Sequence, residues 1–429
     1  MDNFILDLLN KSGADGWAVR DEIRTGWEFY FIRHALDQNR VRDTEHITLT
    51  VYKAFEEGEK KFLGSASAEL APTATEAEAE ELIRSLLFEA GLIRNPAYAL
   101  GEPRGEAGAP TSEPDVKAIA GDFIRAMRSV EEDASGDINS YEIFTDSIRC
   151  RLVTSTGIDV TDVFPASMAE VVVNARDEKR EIELYRMYRS GSCDAAGLKA
   201  NVEETMRFGR DKLRAEKTPA LGRCDVVFST DDALQLYDYF IARMGAGMIY
   251  QGISDCEIGK RVAEDKGGDA LTVRTVRTLE NSSHNGAFDA EGAPVRNMTV
   301  ISRGVAENYY GSRMFAQYIG LSDSFIPGNF VVEGGEKTAA ELRTGRYLEI
   351  VEFSDFQVSP MNGDIAGEIR LGYLHDGDSV TVVEGGSVSG TMRELGGAMR
   401  FSKEQKQYNN YLIPAVTRLC GVSITGAEG

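Results

Sequence analysis

An α+β fold is what this 429-residue chain predicts. Strand-like runs in its first half are joined by tight turns rather than by helices, which favours antiparallel pairing over a doubly wound parallel sheet. A run of strands followed by a helix occurs twice, the pattern of duplicated α/β-type N-terminal subdomains with mixed or antiparallel sheets. Beyond Pro219 turn signals crowd a second half that reads as a β-rich C-terminal domain built around one central helix. The expected division is 1–217 and 218–429, with a linker at about 100–115 inside the first part.

Taken in order, Asn3–Asn10 reads as a short amphipathic helix stopped near Gly13. GWAVRDEIR, WEFYFIRHALDQNR, HITLTVYKAF and KKFLGSASAEL follow as four strands rich in β-branched and aromatic residues. Glu57-Gly58 marks a hairpin between the last two. Thr73 or Thr75 caps an acid-led helix that ends near Gly91. LGEPRGEAGAPTSEPD is the Gly- and Pro-rich linker, and a helix from Val116 to Val130 succeeds it. A second run of strands turns at Ser155–Gly157 and leads to a helix from Ala195 to Glu216. CDVVFST is a short buried-type strand, and turns are expected at Gly267, Asn285-Gly286, Asp289–Gly292, Arg303-Gly304, Asn362-Gly363 and Asp376-Gly377.

The central helix spans Asp231 to Gly252, followed by a glycine exit at Gly259. Asp231 and Asp232 suit its first turn as caps and as partners of the dipole. Leu234, Tyr237, Phe240, Ile241, Met244 and Met248 recur at three- and four-residue steps, an apolar stripe on one face. Gly245, Ala246 and Gly247 form helices poorly and predict close approach by another backbone. The stretch contains no histidine.

Composition narrows the function. Acidic residues outnumber basic ones 69 to 47, a net charge of −22, which argues against a nucleic-acid partner. An acidic surface suits a basic peptide, though it more often simply confers solubility. No apolar window is long enough to span a membrane, and the acidic N-terminus lacks a signal peptide's features, so a cytoplasmic protein is expected. The five cysteines, Cys150, Cys193, Cys224, Cys256 and Cys420, lack metal-ligand spacing and read as reduced, mostly buried thiols. None of the four histidines pairs with another at a helical step. His34 and His46 fall on neighbouring strands and read as surface residues, while His375 falls in a hairpin turn.

His284 opens the richest polar stretch, NSSHNGAFDAEG. Asp289 and Glu291 there could work as an acid–base pair or hold a cation, or they could simply brace a turn closed by Gly292, the blander reading and the favoured one. With Asn329 of the later GNFVVEGG segment, His284, Asp289, Glu291 and Gly292 are the candidate peptide-groove or turn residues. Cys256 is the one thiol near a plausible site, and a nucleophilic role would require a histidine neighbour.

GAFDAEGAPVRNMTVISRGVAENYYGSRMFAQYIG, the segment from Gly328 to Tyr373, GGSVSG (385–390) and SYEIFTDSIRCRLVTSTGIDV together resemble the TldD/PmbA family of DNA gyrase modulators and metallopeptidases. The likeness runs over essentially the whole chain. It implies duplicated N-terminal subdomains, a β-rich C-terminal domain, and dimers enclosing a peptide-accessible cavity. In the catalytic branch it also implies a zinc-binding His-Glu-x-x-x-His on the central helix, completed by a cysteine near the C-terminus. Here the corresponding positions fall near Gln235, Leu236 and Phe240, and Cys420 does not restore the site. The resemblance is therefore to the metal-less, PmbA-like (TldE-like) branch. It implies no catalytic residue, no metal and no cofactor of its own, a zinc-bearing TldD-like homologue as heterodimer partner, and a peptide substrate. Two other readings stay open. One is a metal-independent hydrolase using Asp289 and Glu291 with His284, or Cys256; the other is a homodimeric peptide-binding protein without catalysis.

Overall fold

The computed structural model describes residues 3–104 and 113–427. Its first part is α1 (Asn3–Lys11), β1 (Gly16–Ile32), β2 (Ala35–Glu57), β3 (Lys60–Leu70), α2 (Glu76–Ala90), α3 (Val116–Arg128), β4 (Gly136–Thr154), β5 (Asp159–Arg176), β6 (Glu181–Ser190) and α4 (Ala195–Lys212). Helix, three strands, helix is thus written twice. The two triplets do not form separate sheets, however. They join edge to edge through antiparallel β1 and β4 into one six-stranded sheet of order β3-β2-β1-β4-β5-β6. Residues 105–112 of the expected linker lie outside the described residues.

Where four strands were expected before α2, there are three long ones. GWAVRDEIR and WEFYFI are a single strand, and the chain reverses at Arg33 rather than at Gly26. Gly26 is not a breaker. A Cβ there would come 2.2 Å from the Thr145 carbonyl oxygen, so glycine is what lets β1 lie against β4. The α2 cap is the expected one: Thr75 and Glu78 form a reciprocal capping box, and Gly91 closes the helix. The helix at 195 stops at Lys212, short of Glu216, which turns into a strand.

Strand alternation decides the faces of this sheet. Trp17 and Val19 pack under α1 and α2, while Phe29 and Phe31 on the same side of β1 pack under α3 and α4. All four helices therefore cover one face. The other face carries the alternate β1 residues Arg20, Glu22 and Arg24, and it is the one turned toward the C-terminal part.

The second part runs β7 (Glu216–Lys217), β8 (Gly222–Phe228), α5 (Ala233–Arg243), α6 (Ala246–Tyr250), β9 (Val273–Val276), β10 (Met298–Ser302), β11 (Val305–Ala306), α7 (Arg313–Tyr318) and β12 (Asn329–Val332). It continues with α8 (Ala339–Leu342), β13 (Tyr347–Val358), β14 (Asp364–Asp376), β15 (Ser379–Glu384), β16 (Ser387–Thr391), α9 (Met392–Leu395), β17 (Arg400–Phe401), β18 (Gln405–Tyr408), β19 (Tyr411–Pro414) and β20 (Thr417–Thr425). One sheet, β11-β10-β9-β12-β19-β18, lies on one side of α5. On the other, β13, β8, β20, β16 and β14 pair in succession, and β14 pairs back on β13 to close the ring. The Asp376-Gly377 hairpin forms as expected between β14 and β15. His375 belongs to β14 rather than to the turn, where its ring stacks on Tyr347 at 4.3 Å.

The central helix differs from its sequence expectation in three respects. It is two helices, because Gly245 takes an extended conformation and the chain at Tyr310 enters the gap, accepting a hydrogen bond from Ala246 N–H at 2.7 Å. Small residues do admit another backbone here, and the price is continuity. Nor is α5 capped by aspartate side chains: Asp232 sits at the N-cap in helical conformation without a capping bond, and its Oδ2 accepts from Thr230 Oγ1. Apolar contact extends well beyond one stripe. Leu236, Tyr237, Tyr239, Phe240, Ile241 and Met244 are all buried, each large side chain contributing about 1.5–3 kcal/mol. No helix of the described residues is long and apolar enough to cross a membrane.

Candidate functional site

A cleft of about 520 Å³ opens between the uncovered face of the N-terminal sheet and the loops around 283–290 and 326–328. Its floor follows from strand alternation. Arg20, Glu22 and Arg24 stand at successive outward positions of β1, and Glu22 holds both guanidinium groups at 2.7 Å. Across the seam β4 contributes Ile148, Cys150 and Leu152, and β5 adds Val160, Asp162 and Phe164. The floor is thus polar along β1 and largely apolar beyond it. Arg20 Nε donates to Cys150 Sγ at 3.2 Å, and burial pushes that thiol's pKa up, the wrong direction for a reactive thiolate.

The roof is a loop stapled to the floor. Asp162 accepts from Ala287 N–H and from Val163 N–H, and Asn281 carbonyl oxygen accepts from Gly191 N–H at 2.6 Å. Burial raises the Asp162 carboxyl pKa despite these amides. Asn329, fully buried, pins the loop from behind: its Nδ2 donates to Arg277 and His284 carbonyls at 3.2 and 3.0 Å, and its Oδ1 accepts from Ser282 Oγ. Gly328 lets the chain pass close, since a Cβ there would come 2.5 Å from the His284 oxygen.

The sequence candidates are brought to one loop, each with definite surroundings. His284 lines the cleft, its Nδ1 is 3.1 Å from Ser283 Oγ, and burial lowers its pKa. Asp289 Oδ1 accepts from the Glu291 and Ala293 amides at 2.9 and 2.8 Å, while Oδ2 accepts from Ile326 N–H at 2.8 Å. Glu291 Oε2 accepts from Arg313 N–H at 2.7 Å. Burial is the leading cause of the raised pKa values of both acids. Gly292 turns the chain with φ of +78°. Asp289 and Glu291 thereby brace backbone. Cys256 is buried in the C-terminal core and does not face this cleft. His34 and His46 do not meet: the first contacts Glu132 at 3.2 Å and the second Glu69 at 2.6 Å.

The zinc chemistry of the resembled family does not fit this chain. Leu236 is 0% and Phe240 3% exposed, both without a lone pair, and Gln235 points to solvent. Cys420 lies on β20 beside the Arg418–Asp225 ion pair. Among the described residues no three His, Cys, Asp or Glu side chains converge to hold a metal ion.

Arg20, Glu22, Arg24, Cys150, Asp162 and Arg313 were not singled out from sequence. The signal for the first three was present, as charge at alternate positions of GWAVRDEIR aligns them on one side of a strand.

Fold and cleft define a class: an α+β protein whose one-sided sheet leaves a ligand-sized groove against a β-rich domain wrapped around a helix. Residues 221–426 match the family described as the PmbA/TldA metallopeptidase C-terminal domain. That stretch is a PmbA/TldD-family C-terminal domain. The fold is also that of TldE from Thermococcus kodakarensis, at 15% identity and a TM-score of 0.75 over 99% of this chain and 100% of that one. A proposed modulator of a DNA gyrase from Thermotoga maritima superposes with a TM-score of 0.76 at 15% identity, covering 98% of both chains. Another from Bacteroides thetaiotaomicron gives 0.77 at 17% identity, over 99% of this chain and 97% of that one. At such identities the likeness shows the fold alone. No curated protein matches the sequence.

Proposed function

We propose that this chain is the non-catalytic, TldE-like subunit of a heterodimeric zinc metallopeptidase that acts on peptides or unfolded proteins in the cytoplasm. The observation that carries this reading is α5. At the positions where the catalytic branch has ligands and base, Leu236 and Phe240 are packed in the hydrophobic core. A homologue retaining His-Glu-x-x-x-His would supply the zinc and the activated water. This chain would supply the cleft, whose apolar β4–β5 floor and polar β1 rim suit an extended peptide. Support comes also from the TldE fold.

The test is reconstitution. The purified chain alone is expected to carry no stoichiometric zinc and to cleave no peptide, and to support peptide turnover when co-expressed with a homologue that keeps the motif. Stoichiometric zinc in the lone chain, or turnover by it, would overturn the proposal.

A further inference from the structure

The cleft continues past Arg20, Leu152 and Ala290, which line both spaces, into a narrower pocket of about 200 Å³. That is roughly the volume of six or seven liquid waters, room for a chain end. Tyr52, Tyr98, Glu291 and Arg313 stand around it. Gly101 forms part of the wall, and a Cβ there would come 3.3 Å from Arg313 Nε.

Arg313 carries one of the unpartnered buried polar atoms of the described residues. Its Nε is buried and has no hydrogen-bond partner among the described residues. A guanidinium N–H withdrawn from water without an acceptor is unfavourable, which makes an acceptor from outside the chain the natural complement. Glu291 and Asp289 lie near enough to offset part of its charge, but neither accepts from Nε: Glu291 Oε2 receives the Arg313 main-chain N–H at 2.7 Å instead. The flat guanidinium fork matches a carboxylate in two parallel hydrogen bonds. Burial raises the pKa of both tyrosines, which keeps their hydroxyls protonated and able to donate to an anion.

We propose that the end pocket receives the C-terminal carboxylate of a peptide whose preceding residues lie in the larger cleft, with Arg313 as its principal partner. This rests on the peptide-handling function proposed above and names the ligand class: peptides with a free C-terminus. The chain would run from Arg313 past Arg20 toward His284, with side chains against Ile148, Leu152 and Phe164.

The experiment measures fluorescence anisotropy of an unstructured, N-terminally dye-labelled Ser/Ala/Val peptide, made once as free acid and once as C-terminal amide. It uses the full chain, alone and with the zinc-bearing homologue. The acid should bind about ten-fold or more tighter than the amide, the effect expected of losing a charge-assisted bond. Arg313→Gln should abolish that preference while the residual affinity for the amide stays. Should Arg313→Gln fail to fold, Arg313→Lys, which keeps charge without the fork, should reduce the preference. Equal binding of acid and amide by the unaltered chain would overturn the carboxylate site and leave peptide handling standing. Binding of neither form, with or without the homologue, would overturn both.

Discussion

The surroundings of α5 and the open face of the N-terminal sheet lie in one chain, yet they treat side chains in opposite ways. Around α5 two sheets converge and its large apolar residues pack against apolar neighbours. On the sheet, all four helices take one face, and the other is met only by loops that leave a cleft. Packing density thus separates the part that specifies the fold from the part that can receive a ligand.

Three substitutions bear on that contrast. The largest effect belongs to α5. Phe240→Ala should cost about 3–5 kcal/mol, read as a lower urea midpoint, because the closed sheet around it cannot collapse into the void. A loss under about 1 kcal/mol would show that the helix is not the packed centre described.

Next comes Asp232, at the margin of that core. Burial first, and then the neighbouring Asp231, push its pKa to about 7, against 3.8 for a free aspartate. A carboxyl whose folded pKa is raised contributes stability that is fully present below about pH 4 and is lost as pH rises through about 7. Asp232→Asn removes this dependence. Relative to the unaltered chain the variant should gain stability progressively as pH rises from about 4 to 8, on the order of 1–4 kcal/mol, with the gain holding at that level above and disappearing below about pH 4. Thermal unfolding across that range checks it, and parallel curves for the two proteins would contradict the burial argument.

The most local effect is at the cleft. Asn329→Ala removes the donor to two carbonyls and the acceptor of Ser282, and should cost about 2–3 kcal/mol. Its signature should be local: faster amide exchange in 279–288 with the α5 core still protected. Loss of protection spread evenly over the chain would mean that the roof loop is not a separate unit.

Much of this architecture was legible in the sequence because it is written locally. Thr75 with Glu78 announces a helix start, Asp376-Gly377 a hairpin, and Gly245 a backbone contact, each through chemistry within a few residues. What stayed hidden is pairing at a distance. Gly26 reads as a break until β4 lies beside it, and the two strand triplets read as separate sheets until β1 meets β4. The site was hidden for the same reason. Alternation places Arg20, Glu22 and Arg24 on one face but does not say that this face is the uncovered one. Arg313 acquires meaning only when α7 is brought against Gly101. His284, Asp289 and Glu291 were visible as a polar loop, and their hydrogen bonds to backbone are what a turn of that composition makes.

The seam between β1 and β4 also bears on direction. The order β3-β2-β1-β4-β5-β6, antiparallel throughout, is palindromic, so a half-turn about an axis through the seam carries one triplet onto the other. The backbone beneath the cleft is therefore nearly indifferent to which way a bound chain runs. Side chains break that indifference: charge lines the β1 side where the β4 side offers Ile148, Cys150 and Leu152. Any polarity of reading that this floor imposes is encoded in a handful of residues laid over a symmetric frame.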